Sequence, residues 1–357
     1  MNNTTLIIDG TWFLLSRYAV MSKEFTETDE VLLKTAQDRL VDKMAASINR
    51  IINYFNGFID NLLIVQDKGS WRKKLEKPVL YQEVDYKGTR VADSNIQWEY
   101  VWKSLDKLIA ACKEHNITCT SEYLVEGDDW MCFWTKYLNE NNTNTIIWTS
   151  DGDLKQLINI TDTAWTVWYN DHLGMCIHSK YNNEDILLNP FSNSISLSNL
   201  IKYVNNTGNK IYFINPFDII STKIICGDTS DNIKAVIFKK SGSKTYKISE
   251  KEWLSIKKAL NINDLDTFNE NLNNIINAAK QLKRFNTVET DNNIIRDAIL
   301  YNEKLVYLDH SSYPESVYES MISQKDNYQV TDLDYIKNNY KVLSENNNDI
   351  LKIFENI

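Results

Sequence analysis

Apolar residues along the first 250 positions fall into two patterns. Five short, nearly uninterrupted runs end in carboxylates: LIID (Leu6 to Asp9), LLIVQD (Leu62 to Asp67), YLVEGDD (Tyr123 to Asp129), IIWTSDGD (Ile146 to Asp153) and IICGDTSD (Ile224 to Asp231). Runs of about four to six residues rich in Ile, Leu and Val suit strands buried on both faces of a parallel sheet. Between them apolar residues recur at helical spacing, as at Leu40, Met44, Ile48, Ile51, Ile52 and Phe55, and 129–138 reads as another amphipathic helix. The pattern predicts an α/β domain over residues 1–215, a mostly parallel central sheet flanked by helices. In such folds functional groups gather at the carboxyl ends of strands, which here would bring all five acidic clusters to one edge. Beyond about residue 250 the strand-plus-acid runs stop. Segments such as EKEWLSIKKAL and FNENLNNIINAAKQLKRF predict a helical C-terminal region within 216–357. NENNTNT reads as a surface loop, and NEDILLNPFSNSISLSN fits no element by pattern alone.

The 357 residues allow one large domain or two ordinary ones. With 43% hydrophobic and 24% charged residues and a mean hydropathy of −0.40, the composition is that of a water-soluble globular protein. No apolar run approaches the roughly 18 residues of a membrane span. The start, MNNTTLIIDG, lacks the basic and long apolar stretches of a secretory signal, so a cytoplasmic location is expected, that of the host cell if the gene is viral. Five cysteines show no CxxC spacing and four histidines form no HxxxH pair, which argues against structural zinc and disulfides.

The carboxylates carry the chemistry. Asp9, Asp67, Glu126, Asp128, Asp129, Asp151, Asp153, Asp228 and Asp231 could not all stay ionised around one crevice without cations, because like charges raise one another's pKa. All-oxygen ligands favour Mg²⁺ or Mn²⁺, and a set this rich can hold two ions, the arrangement that hydrolyses phosphodiesters. Gly10, Gly127, Gly152 and Gly227 abut these carboxylates, as tight turns there would require. Taken singly, each aspartate equally suits capping of a helix N-terminus.

The blocks LIIDG, VQDKGSWRKK with a later YKGTR, VEGDDW, TSDGDLKQL and CGDTSDNIKAV together resemble the 5′-nuclease (flap endonuclease) superfamily, and most of all its bacteriophage 5′-to-3′ exonuclease and ribonuclease H members. SDGDL and GDTSDNI are the most specific of them. The resemblance implies a first metal held by Asp9, Asp67, Asp128 and Asp151 with Glu126 nearby, and a second near Asp153, Asp228 and Asp231. It implies a two-metal hydrolase in which Asp151, Lys87 and Arg90 are catalytic. Its expected substrates are 5′ flaps, nicks and RNA primers on duplexes, in replication or repair. A sliding clamp or single-strand-binding protein is an expected class of partner.

Net charge is −9, from 48 acidic against 39 basic residues, yet two segments run the other way. Residues 68–90 hold seven basic residues against three acidic, and 234–251 hold six against one. Such islands would engage phosphates. In the first, which in the family opens a helical arch and here spans 68–105, Arg72, Lys73, Lys74, Lys87 and Arg90 are the candidate contacts. Trp71, Tyr86, Trp98, Tyr100 and Trp102 could either stack unpaired bases or pack a helix. In the second, Lys239, Lys240, Gly242 and Lys244 could grip duplex backbone. There the family's glycine- and proline-rich helix-three-turn-helix is replaced by AVIFKKSGSK, which leaves potassium binding open. Arg17 and Tyr18 could contact the nucleic-acid terminus. YNEKLVYLDHSSYP resembles a weak pattern of the phage members and is assigned no chemistry.

Two rival readings are a PIN-type ribonuclease and a catalytically silent structure-specific DNA-binding protein. The chain length and second basic island argue against the first, and the full acidic set against the second.

Overall fold

The computed structural model describes residues 3–90, 92–182, 194–241, 244–283, 285 and 290–344. Its centre is a sheet of eight strands: β1 (Thr4–Asp9), β2 (Asn61–Val65), β3 (Thr118–Thr120), β4 (Asn144–Trp148), β5 (Asn159–Ile160), β6 (Trp165–Asn170), β7 (Gly174–His178) and β8 (Ile211–Ile214). The strand order is β3-β2-β1-β4-β6-β7-β8, with β5 also pairing to β6. All pairs are parallel except those of β6 with β5 and β7. This is the mostly parallel α/β architecture predicted from the apolar runs.

Strands β1, β2 and β4 are buried at every position, which is why their sequences read as unbroken apolar runs. β1 lies between the other two, with Asp9 level with Val65 and Ile8 with Trp148. The chain therefore leaves β1 toward one side of the sheet and returns to its other side at β4, opening a crevice at the carboxyl edge. Helix α1 (Gly10–Tyr18) starts so close to β2 that a Cβ on Gly10 would lie 2.6 Å from the Val65 carbonyl oxygen. Only glycine fits there.

Two of the five runs are not strands. Tyr123–Val125 is a turn, with Leu124 at φ 67°, that leads from β3 into the helix following α2 (Glu30–Tyr54) and α3 (Trp98–Glu114), namely α4 (Gly127–Glu140). The run ending IIC belongs to a helix, Pro216–Cys226, which comes after α5 (Ser194–Asn206) and is α6. Its start was written in the sequence as Asn215-Pro216: the asparagine caps Phe217 N at 3.2 Å and proline suits the first turn. The helix reads like a strand because Ile220, Ile224, Ile225 and Cys226 are all buried.

Beyond the sheet, Ile224, Ile225, Trp253, Phe268, Ile276 and Ile299 belong to a second apolar core. It includes α7 (Glu250–Ala259), α8 (Leu265–Glu270), α9 (Leu272–Gln281) and α10 (Asn292–Val306). Before these helices, the second basic island forms an antiparallel hairpin of β9 (Phe238–Ser241) and β10 (Lys244–Lys247). The last described stretch returns to the α/β core. Leu308, Tyr313 and Met321 pack with the α4 side of the sheet, and Ile336 and Leu343 join the core beside α2.

Candidate metal centre

Asp9, Asp67, Asp128 and Asp151 gather near the ends of β1, β2 and β4, close enough to act on one another electrostatically. Asp9 terminates β1 and caps α1, accepting from Trp12 N at 2.9 Å and from Thr149 Oγ1 at 3.0 Å. Asp67, just past β2, accepts from Gly127 N at 2.7 Å, so the α4 N-terminus holds it in place. Asp128 lies in the first turn of α4. Asp151 accepts from Asp153 N at 2.8 Å, and its carbonyl is fixed by Trp168 Nε1 at 2.8 Å. Burial and the charge of Asp67, then that of Asp151, push Asp9 up to about 7. Burial and the charge of Asp151 push Asp128 well above the usual carboxylate range, with Asp67 adding to it. The Lys87 ammonium works against that rise at Asp128 without overcoming it.

A second group lies alongside. Asp153, Asp228 and Asp231 each offer a carboxylate oxygen within 4.8 Å of the others. Burial and Asp151 raise Asp153 to about 6. Lys223, on the last turns of α6, forms ion pairs with both Asp153 and Asp228. This lysine was not singled out from sequence because it stands immediately before the run read as a strand; the Asn-Pro helix start would have placed it in the last turns of a helix, just ahead of Asp228.

Over both groups lies the segment 77–90. Lys87 adopts φ 55°, a left-handed conformation uncommon outside glycine, and donates its N–H to Asp231 O at 2.9 Å. Its ammonium pairs with Glu126 and lies 5.0 Å from the Tyr86 ring centroid. Burial works against that charge, but Glu126 outweighs it and keeps Lys87 protonated. Arg90 pairs with Asp231 while its side chain stays 59% exposed, within reach of a ligand.

Other sequence expectations are redrawn. Asp129, expected among the metal ligands, is fully buried. It accepts from Arg72 at 2.8 Å and from Trp71 Nε1 at 3.1 Å, and it caps α4 with Glu126. Arg72, expected at nucleic acid, is equally buried, bridging Asp129 and Glu126, the latter at 2.9 Å. An arginine with no solvent access cannot contact a phosphate; this one neutralises two internal carboxylates. Against the cost of burial, Lys87 and Arg72 hold Glu126 below the ordinary carboxylate range, and Ser70 Oγ donates to it at 2.8 Å. Glu126 thus faces two cations of the protein rather than an open ligand position.

Tyr18 is buried against Phe25 and Trp98, with ring centroids 5.6 and 5.2 Å away. Arg17 lies 4.4 Å from the Phe13 ring and 5.1 Å from that of Trp148, and it pairs with Asp171 at 3.9 Å. Neither projects freely. Trp71 and Tyr86 are core residues, whereas Trp102 is exposed. Lys73 and Lys74 are exposed beside the site. Lys239 and Lys244 stand on the β9–β10 hairpin, as does the backbone of Lys240; Gly242 lies outside the described residues.

The mixed, mostly parallel sheet with flanking helices and a helical C-terminal region matches the fold of solved 5′-nucleases. Among solved structures, bacteriophage T5 5′-exonuclease with divalent zinc ions bound aligns over 96% of this chain and 100% of its own, at 16% identity and a TM-score of 0.51. The bacteriophage T5 flap endonuclease, in a pseudo-enzyme–product complex with DNA and metal ions, aligns over the same shares at 16% identity and a TM-score of 0.52. No family model matches the chain, and no curated protein matches it in sequence. Among the described residues no helix is long and apolar enough to cross a membrane.

Proposed function

We propose that the protein is a divalent-metal-dependent, structure-specific 5′ nuclease that hydrolyses phosphodiesters at 5′ flaps, nicks or RNA primers on DNA and RNA/DNA duplexes. The observation that carries this reading is the convergence of Asp9, Asp67, Asp128 and Asp151 beside Asp153, Asp228 and Asp231, under the cations of Lys87 and Arg90. Buried carboxylates that repel one another are stabilised by a cation among them, and hard oxygen donors fit Mg²⁺ or Mn²⁺. The first four would hold one ion and the last three a second. Bound there, such ions supply the Lewis acidity that activates a water and stabilises the leaving oxygen.

The protein's own groups do the rest. Glu126 and Asp231 position Lys87 and Arg90, whose donors would bind the non-bridging oxygens of the scissile phosphate and offset the charge that develops there. Thr149 orients Asp9, and the α4 N-terminus orients Asp67. Exposed Lys73 and Lys74, and the lysines of the β9–β10 hairpin, would follow the nucleic-acid backbone. The DNA complex of the T5 flap endonuclease supports nucleic acid as the partner.

The test compares wild type with Asp151→Ala on a 5′-labelled flap duplex, a nicked RNA-primed duplex and plain single strands, with Mg²⁺ and with EDTA. Mg²⁺-dependent cleavage near the junction, absent in the variant, is expected. Tight binding without cleavage would leave a structural DNA-binding protein, and cleavage of single-stranded RNA alone a PIN-type ribonuclease.

A further inference from the structure

The loop Gly227–Lys234 carries both Asp228 and Asp231, and its hydrogen bonds lead away from the carboxylates to one buried amide. Asn302, on α10, is fully buried. Its Nδ2 donates to Ile224 O at 2.7 Å and to Lys234 O at 2.9 Å, and its Oδ1 accepts from Tyr81 Oη at 2.5 Å. Tyr81, itself buried, accepts from Lys234 N at 2.6 Å. The first carbonyl belongs to the last turn of α6, where helix geometry leaves it no partner of its own. The second lies just past Asp231. A single side chain thus closes the loop at both ends and joins it to the segment that carries Lys87 and Arg90.

The same two segments meet at three further points. Lys234 Nζ donates to Leu80 O at 2.7 Å, Asn232 Nδ2 to Asp85 O at 2.9 Å, and Lys87 N to Asp231 O at 2.9 Å. The left-handed backbone of Lys87 and of Asn232, at φ 55° and 59°, is held where these bonds cross. Asn302 is the member of the network that comes from the C-terminal helices. It belongs to YNEKLVYLDHSSYP, the motif left without chemistry by the sequence.

We propose that Asn302, acting with Tyr81, is a positioning residue: it sets the placement of Asp228 and Asp231 relative to Asp153 and to the Lys87–Arg90 segment, and so the affinity of the second ion. This rests on the nuclease reading. Leucine at 302 keeps the volume but takes the amide donor from Ile224 O and from Lys234 O, which retains the longer bond from Tyr81 Oη at 3.2 Å, so the loop loses its tie to α10 at both ends. Outer groups that orient metal ligands typically change ion affinity by about 10- to 100-fold when lost.

The experiment measures Mn²⁺ binding to the full chain without DNA, by the electron paramagnetic resonance of free Mn²⁺, for wild type, Asn302→Leu, Tyr81→Phe and Ser221→Ala. Ser221 is the control: it lies on α6, accepts from Trp253 Nε1 at 3.2 Å, and among the described residues its hydroxyl makes no hydrogen bond to the loop or the carboxylates. The expected result is two ions on wild type, with one of them weakened on the order of tenfold by Asn302→Leu. Tyr81→Phe should weaken the same ion to a smaller degree, and Ser221→Ala neither, though all three melt earlier. Variants that melt earlier yet bind both ions as wild type does would reduce Asn302 to a stabilising residue and overturn the proposal. If Asn302→Leu does not fold, Tyr81→Phe, which loses a single hydroxyl, decides by the same criterion. A wild type that binds no Mn²⁺ refutes the nuclease reading and this proposal with it, a result distinct from unchanged binding in the variants.

Discussion

Replacing Lys223 with methionine isolates the cation that the protein itself places between Asp153 and Asp228. The side chain keeps most of its length and loses its charge. Burial works against the lysine's charge, but both carboxylates, led by Asp153, raise its pKa above the ordinary value, so it is charged at neutral pH. Breaking a buried ion pair typically costs about 3–5 kcal/mol. Here the three side chains keep 21%, 23% and 14% exposure. Asp153, already raised to about 6, would take up a proton once the lysine is gone, which caps the loss. We expect about 2 kcal/mol without metal, a fall in Tm of roughly 3 °C for a chain of this size. With divalent metal the sign reverses: an incoming ion no longer competes with the ammonium, and ~2 kcal/mol is about 30-fold in affinity. Thermal melts in EDTA and in saturating Mn²⁺, with calorimetric titration of Mn²⁺, test both halves. The variant should be the less stable protein in EDTA and the equal or more stable one in Mn²⁺. Equal stability in EDTA, or no gain in Mn²⁺ affinity, would refute the reasoning that the Lys223 ammonium competes with an ion for Asp153 and Asp228.

Arg72→Met should cost about 3–5 kcal/mol in urea denaturation, because Glu126 and Asp129 keep their burial and lose their shared cation. Under conditions where the variant stays folded, its affinity for flap DNA in Ca²⁺ should match wild type, and a large drop there would restore Arg72 to the nucleic-acid contacts. His178 is pushed down to about 4 by burial and by Lys180. The unfolded chain binds that proton near 6.5, so the stability tied to this group is complete above pH 6.5 and is lost as pH falls toward 4. His178 is only half-buried, and about 1 kcal/mol is expected between pH 7 and 5 after allowing for solvent screening. His178→Asn should flatten that part of the urea-midpoint profile, and an unchanged profile would show that another group carries the dependence.

What the sequence disclosed follows from what local pattern can encode. β1, β2 and β4 were legible because burial on both faces leaves an apolar run that a carboxylate ends abruptly. The same cue misread Ile224–Cys226, since a helix buried almost all round is apolar at consecutive positions too, and only the Asn215-Pro216 start distinguishes them. Lys223 went unseen with that helix. Arg72 was misplaced because counting charges along a segment treats every cation as solvated, whereas the Glu126 and Asp129 that pair with it lie 54 and 57 residues away. Nothing local to YNEKLVYLDH shows that its asparagine reaches Ile224 and Lys234, because those partners lie 78 and 68 residues away.

The return of the last described segment to the sheet bears on how the protein is made. Asn61, at the start of β2, donates to Gln329 O and accepts from Thr331 N, both at 2.9 Å, and Tyr328 Oη lies 2.9 Å from Thr5 Oγ1 on β1. On the ribosome the first strands would emerge some 270 residues before these partners. The nascent sheet must wait with the lower ends of β1 and β2 uncapped until residue 331 has cleared the exit tunnel. A chain that stalls or is cut in the preceding helices would leave its acidic edge assembled but its opposite edge bare, an open invitation to chaperones or to aggregation.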